Sequence, residues 1–378
     1  VSEPLRIGID ARLNAYREGG IAEYTRRLAE HLPFLDEANQ YVIIQHAKAK
    51  QALGIGDRVQ RVRAFTPPHH RLERLAFGAE VARHQLALLH SPDFIPPRYQ
   101  PPLFGVGRSV ITIHDLNFLH YPQFQTPDSL RYYAGHIQAA VKQADHLLAD
   151  SQATKDDLGT LLNVPPEKVT VHLLGVNPSF RPLLPDQVQV VRQRLGLPSA
   201  YILFVGTFEP RKNLPGLMDA YARLRTMLPD APPLVIAGRR GWLYEEVFQK
   251  VRDLRLDAHI KWLENVGNDD LPAVYNGASV LTLTSFYEGF GFPPLEAMAC
   301  GIPTIVSKRG SLPEVVGDTG LLVDPDQPDD IANALRIALT DSTFRQRSAA
   351  AGAARARHFT WQRAADITLS VYLKVLSR

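Results

Sequence analysis

At 378 residues the chain is too long for one ordinary hydrophobic core and suits two domains. Hydrophobic residues at 45% and charged residues at 21% exclude a disordered protein, and a net charge of +3 with dispersed arginines and no basic run interleaved with aromatics excludes a nucleic-acid surface. The single cysteine, Cys300, excludes an internal disulfide and a cysteine metal cluster; with no charged-then-apolar leader and no apolar run of membrane-span length, the expected compartment is the cytoplasm.

The first half alternates short apolar strands with amphipathic helices. Strands are predicted at residues 5–9, 41–45, 59–64, 86–89 and 110–113, with a helix over 21–32 after the first. Residues 129–143 carry helical periodicity, strand 146–149 follows, Ser151 opens another helix as its N-cap, and 169–174 closes this half. Near-continuous apolar strands separated by helices mean a parallel sheet covered on both faces. The aperiodic, proline-bearing segment 178–185 is the expected linker. Alternation then restarts, with strands at 201–205, 233–237, 260–263, 280–284, 304–306 and 320–323. Helices are predicted over 214–227, 243–254, 271–276 and 295–300, and from about Asp329, Ser342 and Thr360. The expected fold class is α/β: two doubly wound, Rossmann-like parallel-sheet domains, residues 1–180 and 186–358. The ligand belongs in the cleft where their strand C-terminal ends face each other.

The stretch 288–296, Glu-Gly-Phe-Gly-Phe-Pro-Pro-Leu-Glu, lies between a predicted strand and a predicted helix. Gly289 and Gly291 flank Phe290 and let a ligand approach the backbone. Pro293 and Pro294 stand at the helix start, where a missing N–H costs nothing, and free N–H groups of the first turn would favour an anion. Two acids beside such donors suit a polyol attached to phosphate. On spacing alone, a dipole-complementing Glu296 and a solvated Glu288 explain the pair equally well. In the loop 206–213, Gly-Thr-Phe-Glu-Pro-Arg-Lys-Asn, Arg211 and Lys212 lie below a strand end and form a site for a multiply charged anion, with Asn213 able to cap the next helix. Gly19 and Gly20 at a helix start permit phosphate approach but lack the Gly-x-Gly-x-x-Gly spacing, and a plain turn explains them equally well. His114-Asp115 stands where a strand ends; contact with a substrate hydroxyl and a bond to local backbone fit His114 equally. His69, His70 and His90 have no partner at metal-ligand spacing and read as structural or surface residues, and Asp324-Pro325-Asp326 reads as a turn.

Taken together, these residues resemble family 4 of the glycosyltransferases, the retaining enzymes of the GT-B fold. The resemblance rests on Glu288 and Glu296 in a Glu-x7-Glu motif, on Gly19-Gly20-Ile21, and on Glu209 to Asn213. The strings at 113–116, 296–301 and 311–315 add to it. It implies that the first domain binds the acceptor, the second binds the sugar nucleotide, and the final helix, within 360–378, crosses back onto the first. Glu296 would bind ribose hydroxyls and Glu288 the hydroxyls of the transferred sugar. Backbone N–H groups at Phe290 and Gly291, with Gly20 opposite, would hold sugar and phosphate, and Arg211 and Lys212 would grip the diphosphate. His114 would contact the sugar near its reacting carbon, Asp115 would stand on the acceptor side, and Asn265 and Val266 would meet the base. Thr207 stands where many members place an arginine, which shifts phosphate contact toward Arg211. The form of the 206–213 loop, with 238–243 downstream, is most similar to the mannosyltransferase-like branch and implies GDP-mannose as donor.

The implied reaction is transfer of a hexose from a nucleotide diphosphate sugar to a hydroxyl acceptor in glycan, polysaccharide or glycolipid synthesis, with retention at the anomeric carbon. Neither a metal nor another cofactor is expected, because the cations Arg211 and Lys212 can stabilise charge on the departing diphosphate. The diphosphate is expected in a gap between this cation pair and the two acids. Front-face attack, in which the leaving phosphate accepts the acceptor's proton, requires no protein base. The rivals are a UDP-sugar-dependent transferase, an epimerase or phosphorylase on the same fold, and a non-catalytic nucleotide-sugar binding protein. The stretch 71–83 combines arginines with Leu72, Leu75, Phe77 and Val81, as either a plain amphipathic surface helix or a peripheral contact with an anionic membrane at its inner face. The sequence leaves the acceptor's identity open.

Overall fold

The computed structural model describes residues 3–70, 72–93 and 106–377. They fall into two compact units, one from residues up to 175 together with those from 360 onward, the other from 176–359. Among the described residues the first unit holds seven strands: β1 (Arg6–Asp10), β2 (Gln40–His46), β3 (Val59–Ala64), β4 (Leu86–Ser91), β5 (Val106–Ile113), β6 (His146–Ala149) and β7 (Val169–Val171). They pair in parallel in the order β3-β2-β1-β4-β5-β6-β7. The second unit holds six: β8 (Ile202–Val205), β9 (Leu234–Gly238), β10 (Ile260–Glu264), β11 (Val280–Leu283), β12 (Thr304–Ser307) and β13 (Leu321–Val323). Their order is β10-β9-β8-β11-β12-β13, again parallel throughout.

Every residue of β6, β11 and β12 is buried, polar ones such as His146, Thr282 and Thr304 included. A parallel sheet with helices on both faces requires this. In each sheet the chain direction of successive connections reverses once, between β1 and β4 and between β8 and β11. Loops leaving adjacent strands there diverge and leave room for a ligand. The two doubly wound units match the expected fold class.

The helix Trp361–Leu376 is capped by the Thr360 hydroxyl and packs within the first unit on the helix Gly20–Leu35 and on β4, β5 and β6. Ser151 caps the helix Gln152–Leu162 as its position predicts, its oxygen accepting from the Thr154 N–H at 3.1 Å. Two of the elements that differ from the sequence reading have a visible cause. A helix spans Pro185–Leu195, directly after the aperiodic stretch; none of its residues is buried, so it lacks the amphipathic pattern that reveals a helix. Its visible signals are Pro185 at the first helical position and Gly196, at φ 59°, just past the end. β5 begins at Val106 rather than near 110, because Gly107, Arg108 and Ser109 interrupt the apolar run. Among the described residues no helix is long and apolar enough to cross a membrane.

Candidate functional site

In the second unit β8 ends at Val205 and the chain turns through Gly206 into the short 3-10 turn Pro210–Lys212. The turn can form because β9 ends in a glycine: a Cβ on Gly238 would lie 1.9 Å from the Gly206 carbonyl oxygen. The neighbouring strand β11 leads into the loop 284–291, so both loops emerge at the switch point. There the side chains converge on Glu288. Lys212 Nζ donates to Glu288 Oε1 at 2.6 Å, Arg211 Nη1 to Oε2 at 2.6 Å, and Ser285 Oγ to Oε1 at 2.6 Å. Arg211 also donates to Glu209 Oε1 at 2.6 Å and to the Tyr287 carbonyl at 2.7 Å. Glu288, Glu209 and Lys212 are all buried. Burial pushes the Glu288 carboxyl up, but Arg211 and Lys212 outweigh it and hold the group down at about 2.

The loop that presents Glu288 is braced from below. The Ser311 N–H and hydroxyl both donate to the Glu288 carbonyl, at 3.1 and 2.9 Å, and the hydroxyl also reaches the Phe290 carbonyl. Gly310, at φ 59°, permits this approach, since a Cβ there would sit 2.7 Å from the Glu288 oxygen. Asn213 occupies the N-cap position of the helix Leu214–Met227 without capping it. Its side chain donates instead to the carbonyls of Thr284, at 3.2 Å, and Pro325, at 2.7 Å, and so ties the cation loop to the ends of β11 and β13.

Among the residues predicted here, the structure brings Arg211, Lys212 and Glu288 together. The expected gap between the cations and Glu288 does not exist, because direct hydrogen bonds close it. Glu296, on the helix that follows, accepts from the Tyr275 hydroxyl at 2.6 Å. Gly291, at φ 119°, precedes the helix Phe292–Ala299. Pro293 and Pro294 remove two N–H groups from its first turn, so fewer donors are free than a helix start normally offers. Gly289 and Phe290 lie buried, with the Phe290 ring against Phe292 and Phe359. Thr207 is half-buried beside Gly206, and Asn265, at φ 62°, and Val266 follow β10.

In the first unit His114 follows β5. Its Nδ1 is 2.6 Å from Asp150 Oδ2 and its Nε2 is 2.6 Å from the Pro92 carbonyl oxygen. Burial pulls the imidazole down, yet Asp150, together with the Pro92 carbonyl, raises it to about 9. Of the two sequence-level alternatives for His114, the bond to backbone is present, joined by a carboxylate that sequence reasoning missed. Asp115 accepts from the Asn117 N–H at 3.0 Å and serves the start of the short helix Asn117–His120. Gly19, at φ 132°, and Gly20 are exposed at the start of the helix Gly20–Leu35, whose N-cap makes no side-chain bond.

A small pocket opens nearby, lined by Asp10, Arg12, Thr25, His69, Glu73 and Asp93 among others. Buried Arg12 donates to Asp10, to Glu73 at 2.6 Å and to the Thr66 carbonyl at 2.9 Å, so the arginine that lines the pocket among the described residues is engaged within the protein. His69, read from sequence as structural or surface, pairs with Asp93. The available signal was Asp10-Ala11-Arg12 at the end of the first strand, where charged residues follow an apolar run.

Residues 18–180 match the family model Glycosyltransferase Family 4, and residues 189–355 match Glycosyl transferases group 1. The chain is 34% identical to the O-antigen chain mannosyltransferase B of Escherichia coli over 286 residues, 75% of this chain and 74% of that protein. Other curated relatives are longer, and the chain spans about a third of some of them. Its structure resembles the sucrose-phosphate synthase of Thermosynechococcus elongatus, with a TM-score of 0.79 at 21% identity over 99% of both chains. It also resembles an Anabaena protein solved with UDP and glucose, with a TM-score of 0.73 at 20% identity over 98% of this chain and 99% of that one. The fold is therefore GT-B, and the chain belongs to the family 4 glycosyltransferases. An enzyme of this class transfers sugar from a nucleotide sugar donor to an acceptor, and the residues above can be assigned within that reaction.

Proposed function

We propose that this glycosyltransferase moves mannose from GDP-mannose to a hydroxyl of a glycan acceptor, with retention at the anomeric carbon and without a metal ion. The observation that carries the reading is the cation pair Arg211–Lys212 held on Glu288 at the switch point of the second unit. The mannosyltransferase named above supports the choice of sugar. In this reading the second unit holds the donor. Lys212 has three donors and gives one to Glu288 in the free protein, so two can meet phosphate oxygens. Glu288, ionised and ordered, aligns the cations before the donor arrives and meets the sugar hydroxyls when it does. Glu296 holds the ribose, and the first unit receives the acceptor.

As the bond from the anomeric carbon to the phosphate oxygen breaks, negative charge grows on the leaving diphosphate, where Arg211 and Lys212 stabilise it. The acceptor oxygen bonds to the same face of that carbon, and its proton passes to the departing phosphate oxygen. Acceptor-dependent release of GDP from GDP-mannose, an α-linked product by NMR and indifference to EDTA are the expected results. Turnover of UDP-glucose in its place, a β-linked product, or activity lost to EDTA and restored by a divalent ion would each overturn the corresponding part. Leu72 and Leu75 lie exposed at 54% and 51% around the helix Glu73–Ala82, whose Phe77 and Val81 are buried. Arg71 lies outside the described residues. This edge supports a peripheral contact with anionic lipid at a membrane's inner face. Sedimentation with phosphatidylglycerol vesicles, weakened in Leu72→Ser/Leu75→Ser, is the expected behaviour.

A further inference from the structure

We propose that His114 is a fixed imidazolium, protonated at both ring nitrogens at neutral pH, and that Asp150 is the positioning residue that keeps it so. The argument is one of donors and acceptors. The Pro92 carbonyl can only accept, and an ionised Asp150 can only accept, yet each lies 2.6 Å from a different nitrogen of the same ring. A neutral imidazole has a single N–H and would face one of the two with a lone pair.

Two buried histidines beside it, His90 and His172, show the opposite arrangement. His90 Nδ1 lies 2.6 Å from the Tyr372 hydroxyl and Nε2 lies 2.8 Å from Thr112 Oγ1. Thr112 Oγ1 is 2.9 Å from the Tyr24 hydroxyl, which is 3.0 Å from His172 Nε2, and His172 Nδ1 is 3.2 Å from the Ala149 carbonyl. One proton assignment satisfies the whole chain. The Tyr372 hydroxyl donates to His90 Nδ1, His90 Nε2–H to Thr112, Thr112 to Tyr24, Tyr24 to His172 Nε2, and His172 Nδ1–H to the Ala149 carbonyl. Each hydroxyl gives its one proton, and each of these two rings carries one N–H and is neutral. Burial lowers both, His90 strongly and His172 to about 4.

His172 Nε2 accepts from Tyr24, so it cannot donate to Asp150 Oδ1, 3.8 Å away. That oxygen has no hydrogen-bond partner among the described residues. The negative charge of Asp150, buried at the end of β6, is therefore answered by His114. The groups facing His114 are Asp150 after β6, His172 after β7, His90 on β4, Asp93 after β4, and the Tyr24 ring, edge-on at 5.4 Å. The two histidines are neutral, so the carboxylates decide its charge. For the transfer reaction, and resting on that reading, His114 is then a standing positive charge with both N–H groups engaged within the protein, and not a base.

The test is a long-range proton–nitrogen NMR titration of the full chain carrying labelled histidine, with His114 assigned by its loss in His114→Gln. At about pH 7.5 the wild type should show two alike, imidazolium-type nitrogens for His114, and these should titrate only near 9. In Asp150→Asn the midpoint should fall by roughly two units, and Asp150→Glu should restore part of the shift. A neutral single-tautomer pattern in the wild type, or a midpoint that Asp150→Asn does not move, would overturn the proposal. The wild-type spectrum decides even where the asparagine variant fails to fold. With transfer measured alongside, Asp150→Asn should lose turnover about tenfold per pH unit above its new midpoint while the wild type stays level to about pH 8.5. Parallel profiles would contradict the positioning role. Absence of any transfer would count against the proposed reaction alone, because the spectra need no donor.

Discussion

At the strand ends of the second unit one carboxylate, Glu288, answers two cations; at those of the first, one imidazole, His114, answers one carboxylate. The sheets share a plan, with the chain reversing once across each, so the difference lies in side chains rather than topology. Arginine and lysine keep their charge well above neutrality, and the cluster on Glu288 is electrostatically constant wherever proteins work. An imidazole owes its charge to its neighbours and loses it when they change. In the second unit the charges are thus held by partners that titrate far from neutrality, whereas the first holds a charge that pH or one substitution can remove.

The most severe way to break this contrast is Glu288→Gln. It leaves Arg211 and Lys212 facing an amide in a buried site, and breaking such a pair costs about 3–5 kcal/mol. Urea unfolding should show a loss of this size, and an unchanged midpoint would mean that the cluster is not a buried ion pair. Lys212→Ala is milder, since Arg211 and Ser285 still satisfy Glu288. Its kcat/KM should fall roughly ten- to a hundredfold, about 1.5–3 kcal/mol, with the fold intact by circular dichroism. Ordinary kinetics in this variant would remove the cation pair from the reaction.

The pH dependence sharpens the same comparison, with opposite signs at its two ends. The Glu288 carboxyl is lowered from 4.5 to about 2 in the fold, so its stabilisation is present above 4.5 and lost as pH falls toward 2. The His114 imidazole is raised from 6.5 to about 9, so its stabilisation is fully present below 6.5 and lost as pH rises through 9. Thermal unfolding followed from acid to alkali should show both losses. Glu288→Gln should blunt only the acid one and His114→Gln only the alkaline one. The smallest effect is expected from Ser311→Ala, which removes one hydroxyl from beneath the Glu288 loop. About 1 kcal/mol of stability should go, with the midpoint of chemical unfolding as the measure.

What the sequence made legible follows from range. Apolar runs and their spacing are local, and they revealed the two sheets and the loops that carry Arg211, Lys212 and Glu288. Partnership is not local. Lys212 and Glu288 are 76 residues apart and His114 and Asp150 are 36 apart, so residue types could suggest anion binding but could not show that a carboxylate already holds the cations. The string 311–315 could be matched to a family without revealing that Ser311 props the Glu288 carbonyl. Asp150 stood in plain view, one residue before the N-cap Ser151 and directly after an apolar strand. A charged residue placed there was the one local hint that His114 had a partner. Asn213 misled for the opposite reason: a residue type suited to capping with its oxygen is instead fixed by its amide N–H groups, which donate to the Thr284 and Pro325 carbonyls.

A crystal structure of the full chain with GDP-mannose tests the central claim most directly. The account predicts diphosphate oxygens within hydrogen-bond distance of Lys212 Nζ and the Arg211 guanidinium, with Glu288 turned toward the mannose hydroxyls. A donor bound elsewhere, with both cations still turned to Glu288, would contradict it.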